Sequence, residues 1–199
     1  MQFLLLHDKH MSLYELRNKS IINVLRCEIV SRVLDLGCGD GKLICLLQNE
    51  DKITKIGGVD ISAKKINKLS QKYIGLEYVD FFNQSFLDYN EKFKEYEGFI
   101  LSEVIEHLSI EDLLELFDLI FFNYQPKILI ITTPNRSYNF NYEILHNGLR
   151  HISHIYELSD SDVVTLINFL EKKYFYYSFQ HSYCNENQSS HMIISKRRF

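Results

Sequence analysis

The sequence contains no tryptophan, only two prolines, and four cysteines, none of them in a C-x-x-C pair. Cys27, Cys38, Cys45 and Cys184 are scattered, which argues against a disulfide scaffold or a cysteine-ligated zinc centre. A reduced, cytoplasmic protein is expected instead. No apolar run approaches the roughly 20 residues that cross a bilayer. The stretch Phe3 to Leu6 is too short for a signal-peptide core and lacks a preceding basic region. Broad basic charge is missing too: the net charge is −4, which disfavours a protein that coats nucleic acid. Recognition of one nucleotide at a strand end needs only local positive charge, such as Arg136, Arg150 or the tail Lys196-Arg197-Arg198.

What is present is ordinary globular composition. Of 199 residues, 46% are hydrophobic, enough for a well-buried core, and no internal repeat or low-complexity linker interrupts the chain. One domain is expected over residues 1–199, with a helical segment in 1–30 and the ligand-binding core in 31–199. Apolar spacing predicts a helix from Leu13 to Cys27 and short strands at Arg32–Leu36, Lys55–Ile61, Leu76–Val79, Gly98–Val104 and Lys127–Thr133. Helices are expected at Lys42–Gln48, from Ser62 to about Tyr73, after Val104 to about Asn123, and at Ser159–Lys173 with Ser159 as cap. Tyr174–Tyr183 and His191–Lys196 read as a closing hairpin. The fold class is therefore α/β: a seven-stranded, mostly parallel sheet with one antiparallel strand and helices on both faces.

In such sheets ligands bind beyond the carboxyl ends of the strands. The run Val33-Leu34-Asp35-Leu36-Gly37-Cys38-Gly39-Asp40-Gly41 lies at one such end. Its glycines let the backbone turn sharply and approach a ligand. Asp60 ends the next strand, where a carboxylate can accept hydrogen bonds from ribose hydroxyls. A dinucleotide loop requires G-x-G-x-x-G, and Lys42 occupies the final glycine position. The spacing resembles the class I, Rossmann-like methyltransferase fingerprint. That resemblance assigns Asp35, Gly37, Gly39 and Gly41 to the methionine end of S-adenosylmethionine, Asp60 to its ribose, and Gln84-Ser85 to the adenine.

A second constellation follows the fourth strand, where this fold faces the methyl acceptor. Glu103, Glu106 and His107 are spaced i, i+3 and i+4, so one helical turn would gather them on one face. Two carboxylates that close repel each other unless a cation or proton lies between them, and an imidazole beside them makes a cation site plausible. A fourth ligand must come from elsewhere, and Arg150-His151-Ile152-Ser153-His154 offers two histidines. An E-x-x-E-H stretch also serves as a solvated helix face in methyltransferases that bind no metal.

The whole pattern resembles the RNA 3′-terminal ribose 2′-O-methyltransferases, the Hua-enhancer-type enzymes of small RNAs, which have a bacterial branch in RNA repair. The resembling pieces span nearly the whole chain: Ser12 to Arg17, Val33 to Gly41, Gly58 to Ser62, Glu103 to Leu108, Thr133 to Asn139 and Leu149 to Glu157. The resemblance implies metal ligands Glu103, Glu106, His107 and His154, with Mn²⁺ or Mg²⁺ as the ion. It places His151 either behind the metal ligands or beside the reacting hydroxyl, and Glu103, His107 and His151 become the catalytic set. RNA contacts fall to Arg17, Arg136 and Arg150. Ser153 stands where the family usually has Asp, and Leu158 where it usually has Trp, which puts the hydrogen bonding around the histidines in question.

The chemistry suits those residues. Methyl transfer from a sulfonium is an in-line displacement, and a 2′-hydroxyl is a poor nucleophile unless a cation lowers its pKa. Of the two histidines that could accept the proton, a metal ligand is the poorer base, which favours His151 over His107. The expected partner is an RNA 3′ end with free 2′- and 3′-hydroxyls. No double-stranded-RNA-binding or helicase-like region is recognisable, so a separate protein is expected to deliver the RNA. Two other readings compete: a metal-independent small-molecule methyltransferase, and a non-catalytic homologue that binds S-adenosylmethionine or RNA.

Overall fold

The structure is a computed structural model that describes residues 11–198. Phe3 to Leu6 lies outside the described residues. Seven strands form one sheet in the order β3-β2-β1-β4-β5-β7-β6. They are β1 (Arg32–Leu36), β2 (Lys55–Asp60), β3 (Val79–Asn83), β4 (Gly98–Ser102), β5 (Ile128–Pro134), β6 (Tyr177–Tyr183) and β7 (Ser190–Arg197). Every pairing is parallel except those of β7 with β5 and β6, so β7 is the one antiparallel strand.

Helices cover both faces. On one side α1 (Leu13–Cys27), α2 (Lys42–Leu47) and α3 (Ala63–Lys72) bury Ile21, Leu25, Ile44 and Leu69 against Ile100, Ile128 and Ile130. On the other, α4 (Ile110–Asp118) and α5 (Asp160–Lys173) bury Leu116, Phe117, Val163 and Leu170 against Phe99, Leu101, Leu129 and Ile131. Alternate residues of β4 and β5 thus feed opposite cores, which explains their unbroken apolar runs. Ser12 with Glu15, and Ser159 with Asp162, form capping boxes that fix where α1 and α5 begin.

Two expectations are corrected. The third strand is not Leu76–Val79 but Val79–Asn83, because Gly75 (φ +85°) leads into a turn in which the Leu76 amide donates to the Tyr73 carbonyl. The expected helix after β4 is not continuous either. A single 3₁₀ turn, Ile105–His107, precedes α4, and a π-helical segment, Leu119–Tyr124, follows it.

Close packing leaves no room for a side chain at Gly57 of β2. A Cβ there would lie 2.5 Å from the Leu34 side chain and 2.7 Å from the Tyr96 ring. Gly57→Ala is expected to destabilise the protein by about 1–3 kcal/mol, a fall of several degrees in melting temperature that a thermal unfolding curve would read.

Candidate functional site

The order of strands reverses between β1 and β4, which opens a crevice at their carboxyl ends. Gly37, Gly39 and Gly41 lead out of β1 with φ of +83°, +55° and +71°, a region costly for other residues. The loop is clipped to β2, since the Gly37 and Cys38 amides donate to the Val59 carbonyl. Asp60, at the end of β2, accepts from the Gly39 amide (2.9 Å) and the Ser62 amide (2.8 Å). Each of its oxygens keeps a further lone pair for a ligand hydroxyl. Ser85 lies in the turn after β3, its hydroxyl accepting from the Leu87 amide.

Asp35 is buried within β1, and burial followed by the Asp60 charge pushes its carboxyl up to about 7. Its pKa in the unfolded chain is ordinary, so between pH ~4 and ~7 the folded protein holds the extra proton. This group's stabilising share is therefore present at low pH and is lost as pH rises through ~7. Asp35→Asn is expected to raise the melting temperature of the ligand-free protein by several degrees near pH 8 and by little near pH 4. Equal shifts in melting scans at the two pH values would contradict that sign.

Across the crevice, Glu103 has φ +55°, so it precedes the 3₁₀ turn rather than joining a helix with Glu106 and His107. Ligand atoms of Glu106, His107 and His154 lie within 4.8 Å of one another. Glu103 is not in that group; its Oε2 faces Arg17 Nη1 of α1 at 3.3 Å. Several bonds tie the loop that donates His154 to the 3₁₀ turn, the Ser153 hydroxyl beside His107 Nδ1 (3.2 Å) among them. The Ile155 amide donates to the Glu106 carbonyl (2.8 Å), the Tyr156 hydroxyl to the Ile105 carbonyl (2.8 Å), and His107 Nδ1 to the Ser153 carbonyl (3.0 Å).

These bonds also set the tautomers. A carbonyl can only accept, so His107 carries its proton on Nδ1. His154 Nδ1 faces the buried Glu157 carboxylate at 2.6 Å and carries its proton there too. In the neutral form of each ring this leaves the lone pair on Nε2. Burial lowers the His107 pKa and keeps the ring neutral. Glu106 is fully buried; Oε2 accepts from the Thr133 hydroxyl (3.0 Å), while Oε1 has no partner. Glu103 Oε1 is also without a partner. Burial, and then the neighbouring Glu103 charge, pushes the Glu106 carboxyl up to about 8. Orphaned carboxylate oxygens beside imidazole lone pairs are the donor set of a divalent cation, and these residues fit one.

Sequence reasoning missed the residues that hold this set in place. Glu157 accepts from the Asn139 side chain (2.6 Å) and the Arg150 amide (2.7 Å). Arg150 donates to Asn139 Oδ1 and to the Ser189 and Asn135 carbonyls, so its guanidinium braces this part of the fold. Arg136 is exposed. His151 Nδ1 faces the Ser153 hydroxyl (2.6 Å) and accepts from the Ser153 amide (3.2 Å). Ser153 thus supplies the hydrogen bonding that its replacement of Asp had put in question.

The two halves of the crevice touch. A Cβ on Gly37 would lie 2.7 Å from Val104 Cγ2, so the glycine loop abuts the residue that follows Glu103. Residues 7–175 match the methyltransferase domain family. The chain belongs to that family. As a methyltransferase, its methyl donor is S-adenosylmethionine. It is 28% identical over 169 residues to the small RNA 2′-O-methyltransferase of Tetrahymena thermophila, covering 76% of this chain and 40% of the relative. The mouse enzyme of the same name is 29% identical over 64% of this chain and 35% of its own length. This methyltransferase therefore spans under half of either relative. Its fold superposes on the methyltransferase domain of bacterial CtHen1-C with a TM-score of 0.81 and 25% identity, over 94% of this chain and 99% of that one. Among the described residues no helix is long and apolar enough to cross a membrane.

Proposed function

We propose that this methyltransferase transfers the methyl group of S-adenosylmethionine to the 2′-hydroxyl of the 3′-terminal ribose of an RNA, with a divalent cation bound at Glu106, His107 and His154. The observation that carries this reading is the meeting of those three ligand groups within 4.8 Å against the glycine loop. Glu103, whose Oε1 is free, is proposed to complete the set. The mixed carboxylate and imidazole donors favour Mn²⁺ or Mg²⁺ over a closed tetrahedral zinc site.

A cation held there lowers the pKa of a ribose hydroxyl and stabilises the alkoxide that develops. The chain's own residues do the rest. Glu157 and the Ser153 carbonyl orient His154 and His107, so that neither ring has to reorganise during the reaction. His151 is proposed to take the hydroxyl proton at Nδ1 once the substrate hydroxyl displaces Ser153 from that nitrogen. Asp35 and the glycine loop are proposed to hold the methionine end of the donor, Asp60 its ribose, and Ser85 its adenine. Arg136, and Arg17 when released from Glu103, are proposed to meet the phosphates. An internal ribose has its 3′-oxygen in a phosphodiester and a DNA end lacks the 2′-oxygen, so only a free RNA terminus satisfies the site.

We further propose that residues 1–199 act as one catalytic unit in the cytoplasm, consistent with four free cysteines. A separate protein would deliver small or repaired RNA. The test is incubation with labelled donor, Mn²⁺ and RNAs ending in 2′-OH/3′-OH, in 3′-phosphate or in 2′-deoxyribose. Label is expected only in the first, and chelator should abolish it. Equal labelling of all three would sink the proposal.

A further inference from the structure

Beside the proposed cation site, a cleft of about 350 Å³ lies between the 3₁₀ segment after β5 (Arg136–Asn141) and the β6–β7 turn. The β6–β7 turn lies at the same edge of the sheet as the carboxyl end of β5, because β7 runs antiparallel to both neighbours. Thr133 bonds Glu106, and Asn135, which lines the cleft, is two residues further on. The separation is about 7 Å along an extended strand, comparable with one backbone step of an extended RNA.

The walls are aromatic and the rim is amide. Tyr138 and Phe140 lie with ring centroids 6.4 Å apart, tilted by 51°. The Arg150 guanidinium sits 5.5 Å over the Tyr138 ring and anchors it. Phe140 is 85% exposed, so its ring is open to a stacking partner. The Asn187 and Gln188 side-chain amides have no hydrogen-bond partner among the described residues, and each carries both donors and acceptors. Gln188 has φ +56°, and its carbonyl accepts from the Asn135 side chain, which ties the turn across the cleft. Arg136, exposed between two lining residues, adds a cation at the mouth.

We infer that this cleft binds the base of the nucleotide preceding the terminal one, stacked on Phe140 and hydrogen-bonded along its edge by Asn187 and Gln188. The inference rests on the proposed RNA reading and deepens it. Stacking on an aromatic side chain is tolerant of sequence, and amides that both donate and accept suit any base edge. The site therefore supplies affinity and register, with little base preference.

The test uses RNA carrying the fluorescent base 2-aminopurine at the penultimate position, with methylation measured in parallel on the same RNA. Binding to the wild-type chain is expected to quench the fluorescence, and Phe140→Ala should remove most of the quenching. That exposed substitution should weaken RNA binding on the order of ten-fold, leave kcat at saturating RNA unchanged, and have no effect when the penultimate nucleotide is abasic. Equal quenching by wild type and Phe140→Ala, or an abasic site that costs no affinity, overturns the inference. Quenching without methylation would leave the cleft standing and sink the functional reading. Methylation without quenching would do the reverse, and the absence of both would sink both.

Discussion

His154→Ala is expected to lower methyl transfer on the order of a thousand-fold, since a cation's stabilisation of a developing alkoxide amounts to several kcal/mol and each 1.4 kcal/mol is about ten-fold in rate. Donor affinity should not change, because the glycine loop and Asp60 hold the donor independently of the histidine segment. Calorimetry of S-adenosylmethionine binding separates the two effects. Glu157→Gln tests the same centre one layer further out. The Glu157 carboxylate lies 2.6 Å from His154 Nδ1, and its loss should weaken cation affinity by roughly 10–100-fold. Raising the Mn²⁺ concentration should then recover activity in Glu157→Gln but not in His154→Ala. Full activity in His154→Ala would instead favour a small-molecule methyltransferase in which the E-x-x-E-H stretch holds no metal.

Asp60→Ala is expected to produce the opposite division. Its carboxylate accepts from the Gly39 and Ser62 amides and is the proposed acceptor for both ribose hydroxyls. Hydrogen bonds to a charged group contribute about 1.5–3 kcal/mol each, so donor affinity should fall roughly 100-fold or more. The donor KM should rise steeply while kcat at saturating donor falls much less. Asp60→Asn keeps one acceptor oxygen and is expected to lie between. A variant that binds donor normally but turns over slowly would place Asp60 in the acceptor half of the site.

Much of the fold was legible because burial on both faces leaves unmistakable apolar runs, as in β4 and β5, and because Ser159 marks the start of its helix. β3 was not. As an edge strand with one neighbour, it carries Asp80 and Asn83, which read as loop. Asp80 is satisfied by the Tyr96 hydroxyl (2.9 Å) and Lys55 (3.2 Å), and Asn83 donates to the Asp60 and Ile61 carbonyls. Those partners are long-range and invisible to local patterning.

The candidate site divides the same way. Glu106, His107 and His154 were nameable from residue type and resemblance. That they meet depends on the Ile155 amide and the Tyr156 hydroxyl reaching back to the 3₁₀ turn, which no spacing rule reveals. Arg150 was expected as an RNA contact, and its bonds within the fold were not legible. Its hydrogen-bond partners, Asn135 and Asn139 of one segment and Ser189 of another, are brought to it only by the fold. The Thr-Pro-Asn-x-x-Tyr-Asn motif carried the usable signal: Thr133 bonds Glu106, Tyr138 lies under Arg150, and Asn139 bonds Glu157.

Periodate oxidation of the product RNA reads the central proposal most directly, because periodate cleaves only a terminal ribose with both hydroxyls free. RNA treated with the full chain, S-adenosylmethionine and Mn²⁺ should become resistant, and RNA treated with any one of the three omitted should stay sensitive. Methyl incorporation into an RNA whose terminus remains fully sensitive would contradict 2′-O-methylation of the 3′ end.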